Sequence, residues 1–259
     1  DMLPKLQNLL NATNWRQADT FGHSQGKSEG DTLENFVEAL GKFLGLCGKN
    51  GWVTMNPSLD GNTWWQTSGD VGTGQARDGL HENLARIANS EIYKALAGKL
   101  QLASVEECKQ LARTDFSAFV ALNTLSPITF KSVNPSETND LFKDAWGELY
   151  EYWAQDNATL ENKTNATKEL NFSDQWLSDR AEFLQYKIQF NRENKAYDAE
   201  YNTNKVNGNW DFVDKATGMT LAIDGYGTSA SDHQIVFGGA GAEKIAGSGD
   251  SDRLYGGGG

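Results

Sequence analysis

Gly238-Gly239-Ala240-Gly241-Ala242-Glu243-Lys244-Ile245-Ala246, then Gly247-Ser248-Gly249-Asp250-Ser251-Asp252-Arg253-Leu254-Tyr255, then Gly256-Gly257-Gly258-Gly259, is the stretch whose reading decides the fold. Three features return every nine residues. Glycine opens each unit (Gly238, Gly247, Gly256), an acid holds the sixth place (Glu243, Asp252), and an aliphatic holds the eighth (Ile245, Leu254). Val236 continues that register upstream. Glycines permit tight turns that gather backbone carbonyls around one point. The sixth-place carboxylate adds a charged hard oxygen of the kind Ca²⁺ takes at about 2.3–2.6 Å. The aliphatic lies in a short strand and points inward, so stacked turns bury a ladder of such side chains as a parallel β-roll. Without the ion the carboxylates repel and the turns have little reason to order, which couples ion binding to folding. A flexible Gly/Ser linker would not keep glycine, acid and aliphatic in one register. The expected calcium-binding residues are Gly238, Gly239, Gly241, Glu243, Gly247, Asp250, Asp252, Gly256 and Gly257.

Composition bounds the rest. The 259 residues suffice for one large domain, or one domain with an appendage. A 38% hydrophobic content with eight Trp supports a packed core over disorder. The net charge of −12 and a pI near 4.7 disfavour nucleic acid and anionic membranes as partners. No stretch approaches the roughly 20 apolar residues of a membrane span, and the N-terminus does not read as a signal peptide. Cys47 and Cys108 leave two readings open, a disulfide or two buried thiols.

Upstream, the period is helical. Residues 3–10 read as a short helix. Asp31 with Glu34 forms a capping pair ahead of Leu33, Phe36, Val37, Leu40, Phe43 and Leu44. A second apolar stripe runs from Leu80 to Leu100, Ser104 with Glu107 caps another helix, and Phe116 to Leu122 belongs to a further one ending before Pro127. Residues 139–155 read as one aromatic-rich helix and residues 173–195 as a long one carrying Trp176, Leu177, Ala181, Leu184 and Ile188. Then the period changes: Trp210 to Val213 and Met219 to Ile223 read as a β-hairpin. The expected architecture is a mainly α domain (1–200), a β-hairpin and linker (201–233), and the first turns of a parallel β-roll (234–259).

Two other patterns invite chemistry. Gly22-His23-Ser24-Gln25-Gly26 matches G-x-S-x-G, in which Ser24 would be an esterase nucleophile. That motif requires a buried strand before it and a helix directly after it. Asn14 to Phe21 is not an apolar strand, and His23, His81 and His233 offer no evident base for a triad. The reading is therefore of no catalytic residue, with Ser24 as the one alternative. Trp52, Trp64 and Trp65 lie in a Gly/Asn/Thr-rich stretch. They either pin a long loop to the core or line a groove for a ligand.

The repeats, together with Phe172-Ser173-Asp174-Gln175-Trp176-Leu177-Ser178-Asp179-Arg180-Ala181-Glu182-Phe183-Leu184, Asp211 to Gly218 and Ile235-Val236-Phe237-Gly238-Gly239, resemble the segment that follows the catalytic domain in bacterial RTX (haemolysin-type calcium-repeat) lipase-like proteins. The residues before it are similar more loosely. Glu243 stands where that family has Asp, and Asp250 where it has the fourth-place glycine. The resemblance implies a large secreted toxin or lipase-like exoprotein, exported in one step (type I secretion) by a C-terminal signal beyond Gly259, with Ca²⁺ as its cofactor. This stretch would then be a non-catalytic module that links an upstream effector to the repeats, caps the β-roll and folds on calcium outside the cell. Its partners would be calcium and neighbouring domains of the same chain. The alternatives are a ligand-binding module of an RTX adhesin or cytotoxin that uses the Trp loop, and an esterase built on Ser24.

Overall fold

The computed structural model describes residues 2–13, 36–37, 39–46, 83–131, 135–161, 170–193, 210–216, 219–222, 233–239, 244–249 and 251–256. The helices are α1 (Met2–Thr13), α2 (described at 36–37 and 39–43), α3 (83–89), α4 (Glu91–Leu96), α5 (Val105–Leu111), α6 (Phe116–Asn123), α7 (Pro135–Trp146), α8 (Glu148–Glu161) and α9 (Asp174–Glu193). The strands are β1 (Leu100–Leu102), β2 (Ile128–Phe130), β3 (Trp210–Asp214), β4 (Met219–Ala222), β5 (His233–Phe237) and β6 (Arg253–Tyr255).

Helix α6 organises the core. Residues 116 to 122 are all buried, the pattern of a helix surrounded on every side. The Asp115 carboxylate caps its start by accepting the Ser117 N–H at 2.8 Å. Its end is a Schellman turn: the Ser126 N–H donates to Ala121 O, the Leu125 N–H donates to Leu122 O, and Leu125 takes φ 53°. From α6 an unbroken run of aromatic contacts reaches α2 in one direction and β6 in the other. Phe116 meets Phe142 at 5.8 Å, Phe142 meets Phe130 at 4.9 Å and Phe130 meets Phe43 at 5.2 Å. In the other direction Phe119 stacks on Trp176 (5.5 Å), Trp176 meets Phe237 (6.0 Å), and Phe237 stacks on Tyr255 (5.3 Å). All these separations lie in the favourable range for aromatic pairs.

Local signals account for several boundaries. Ser104 and Glu107 form the expected capping box at α5, with the Ser104 N–H donating to the carboxylate at 2.6 Å and the Glu107 N–H donating to the hydroxyl at 3.1 Å. The apolar stripe expected from Leu80 to Leu100 is interrupted. Ser90 caps a new helix by accepting the Tyr93 N–H, and Leu100 and Leu102 belong to a strand paired antiparallel with β2. The single helix expected over 139–155 is two, α7 and α8, which meet at Gly147 with φ +45°.

The second sheet has the order β4-β3-β5-β6. β3 and β4 pair antiparallel, β3 and β5 parallel, and β5 and β6 parallel. The expected parallel β-roll is corrected here: it does not form among the described residues. A roll encloses its aliphatics between two parallel sheets, whereas the described residues hold one mixed sheet. Residues 244–248, which would supply the facing strand, carry no strand assignment. The sheet instead shares the helical core through Phe212, Leu221, Ile235 and Phe237. The strand's period of two sorts the side chains between the sheet's two faces. Arg253 and Tyr255 turn toward α9, so Leu254 lies on the opposite face with Val236, where Val236 is buried and Leu254 is 46% exposed.

Candidate functional site

The candidate site is the junction where the first repeat residues meet α9. β5 and β6 pair with Ile235 opposite Arg253, Val236 opposite Leu254 and Phe237 opposite Tyr255. The strands are thus offset by 18 residues, the separation also seen between Gln234 and Asp252. That offset equals two nonapeptides. The Gly238 N–H continues the ladder by donating to Tyr255 O at 2.8 Å.

Asp179 of α9 anchors this coil. Its side chain is 1% exposed and accepts from four groups. Arg253 donates through Nε to Oδ2 (2.7 Å) and through its terminal nitrogen to Oδ1 (2.9 Å). The Tyr255 hydroxyl donates to Oδ2 at 2.6 Å, and Gln175 Nε2 donates to Oδ1 at 2.8 Å. The two-pronged arginine contact is the geometry that makes such pairs strong. Burial first, and then the hydrogen bond and negative charge of Asp179, push the Tyr255 hydroxyl well above its ordinary range, so it stays a donor.

The next residue on α9, Arg180, is buried between helix and sheet. Nε donates to Leu122 O at 3.0 Å, and one terminal nitrogen donates to Asn123 O and to Asp214 Oδ2, the latter at 2.7 Å. It therefore neutralises the negative end of α6 while pairing with β3. Its guanidinium lies 4.8 Å from the centre of the Phe237 ring. Neither role was read from the sequence. The available signal was an Asp-Arg pair interrupting the apolar stripe of a long helix.

Asp252, the sixth-place acid, folds back over its own turn. Oδ1 accepts the Gln234 N–H at 2.7 Å and the Ser248 hydroxyl at 2.8 Å, and Oδ2 accepts the Ser248 N–H at 2.6 Å. Burial raises its pKa, but the hydrogen bonds from Gln234 and Ser248 and the charge of His233 outweigh that, and the carboxyl titrates below its usual range. His233 closes the same coil, its Nδ1 lying 2.9 Å from Ser251 O.

Of the expected calcium-binding residues, the structure brings Gly238, Gly239, Gly247, Asp252 and Gly256 into this coil. Gly241, Glu243, Asp250 and Gly257 lie outside the described residues, as do Ser24, Trp52, Trp64, Trp65 and the Asp31–Glu34 capping pair. Among the described residues no three His, Cys, Asp or Glu side chains converge to hold a metal. Three protein donors occupy the Asp252 carboxylate, leaving about one of its four lone-pair positions. Cys108 is a buried free thiol, pushed up to about 12 first by burial and then by the negative charges of Glu107 and Asp115. No helix among the described residues is long and apolar enough to cross a membrane. Comparisons with known protein families, curated proteins and solved structures find no match to the chain.

Proposed function

We propose that the chain is a non-catalytic, calcium-responsive module of a secreted bacterial RTX-type protein, whose helical body is the platform on which the nonapeptide repeats begin. The observation that carries this reading is the parallel pairing of β5 and β6 at an offset of two nonapeptides, with Arg253 and Tyr255 held on Asp179. A linker of glycines has no reason to coil at the period of its own repeat. On this reading calcium is held by backbone carbonyls of the glycine turns, with Glu243, Asp250 and Asp252 as the anionic ligands. Export from a calcium-poor cytosol into a calcium-rich exterior then couples secretion to folding.

Thermal unfolding in calcium against EGTA, at matched ionic strength and with magnesium as control, tests it. Calcium at about 100 times its dissociation constant stabilises the folded form by about 2.7 kcal/mol, equivalent to a rise in Tm of roughly 5–10 °C for a chain of this size. Equal melting in calcium, magnesium and EGTA would remove calcium from the function of this module.

A further inference from the structure

The oxygens of Asp252 are engaged by the protein itself. A carboxylate offers about four lone-pair positions, and three are filled by the Gln234 N–H, the Ser248 N–H and the Ser248 hydroxyl. These donors come from both ends of the coil, since Gln234 lies 18 residues before Asp252 and Ser248 four. N–H and O–H groups aimed at the oxygens present positive charge where a cation would sit, and they cannot share those positions with one. The backbone beneath the carboxylate is consistent with this placement. A Cβ built on Gly247 would lie 2.0 Å from Asp252 Oδ2 and 2.8 Å from its Cγ. Gly247 is therefore the glycine that lets this carboxylate fold back onto the turn, and its backbone does not need a positive φ to do so.

We propose that Asp252 is the clamp that ties the Ser248 turn to β5 by itself, so that β5 and β6 form a metal-independent template on the α9 platform. Asp252 is then a positioning residue, and calcium acts elsewhere in the repeats. The proposal refines the reading above by removing Asp252 from the expected calcium set, and it can fail separately from that reading.

Amide exchange of the full chain in EGTA, compared among the wild type, Asp252→Asn and Gly247→Ala, tests it. In the wild type the Gln234 and Ser248 amides are protected without calcium. In both variants they exchange roughly 10–100 times faster, the loss expected for hydrogen bonds to a charged acceptor. The calcium-induced rise in Tm is equal in wild type and Asp252→Asn. Absence of protection in the wild type in EGTA overturns the clamp, as does unchanged exchange in Asp252→Asn. A calcium rise present in the wild type and lost in that variant overturns it too, because Asp252 is then a ligand. If the wild type shows no calcium rise, the calcium reading fails and the exchange data alone decide on the clamp. Should Asp252→Asn not fold, Gly247→Ala carries the exchange test, since it retains the charge and only displaces the carboxylate.

Discussion

Two glycines with positive φ have unequal reasons to be glycine. Gly45 (φ +70°) ends α2 against α7, and a Cβ there would lie 2.8 Å from the backbone oxygen of Ala145. Gly147 (φ +45°) separates α7 from α8 with nothing within 4 Å of such a Cβ. Gly147→Ala therefore costs only the left-handed conformation, about 1–2 kcal/mol. Gly45→Ala adds a clash with backbone and costs about 2–5 kcal/mol. Urea denaturation of the two variants should keep that order. Glu107 offers a pH prediction. The hydrogen bond from Lys5 at 2.8 Å, then that from the Ser104 N–H, lowers its pKa below 4.5. A depressed folded-state pKa contributes stability above the unfolded value and loses it as pH falls through the folded value. Wild type should thus melt higher than Glu107→Gln at pH 7, and the gap should narrow progressively as the pH falls below the ordinary carboxylate range. A gap that does not change with pH would assign the effect to packing.

Among the elements, α9 does the joining. Arg180 and Asp214 have side chains only 4% and 1% exposed. Removing one member of such a pair leaves a buried charge without its counter-ion and costs about 3–5 kcal/mol. Arg180→Ala also uncaps the carbonyls that end α6. Calorimetry should show Arg180→Ala and Asp214→Ala each losing that amount, and the double variant losing less than the sum. Additive losses would mean that the pair does not join α9 to the sheet. Cys108 in α5, by contrast, is a free thiol buried in the hydrophobic core.

Over the whole molecule, the net charge of −12 opposes the compact state. Sodium chloride raised from about 0.05 to 0.5 M shortens the Debye length below 10 Å and should raise Tm by a few degrees, measured in EGTA. A fall in Tm would show that ion pairs such as Arg113–Asp174 (2.8 Å) outweigh the repulsion. The same titration separates screening from specific calcium binding. The aromatic run from Phe43 to Tyr255 makes helices and sheet one apolar body, so loosening at the repeat coil should be felt at α9.

The sequence by itself determined what is local. The capping box at Ser104 and Glu107 was legible because its partners are three residues apart, and the long apolar stripe of α9 because helical spacing repeats within one turn. The nine-residue recurrence of glycine and acid was legible for the same reason, and the ladder offset matches it. What only the tertiary structure decided is which surface each side chain meets. Leu100 continues a helical stripe by spacing, yet it becomes a strand because its partner Phe130 arrives from across the fold. Leu254 holds an inward position by register, yet it lies on the face away from α9 because Asp179 captures the residues on either side of it. Contacts between residues far apart along the chain leave no periodic trace in the sequence, and here they replaced an expected roll with one sheet laid on a helix.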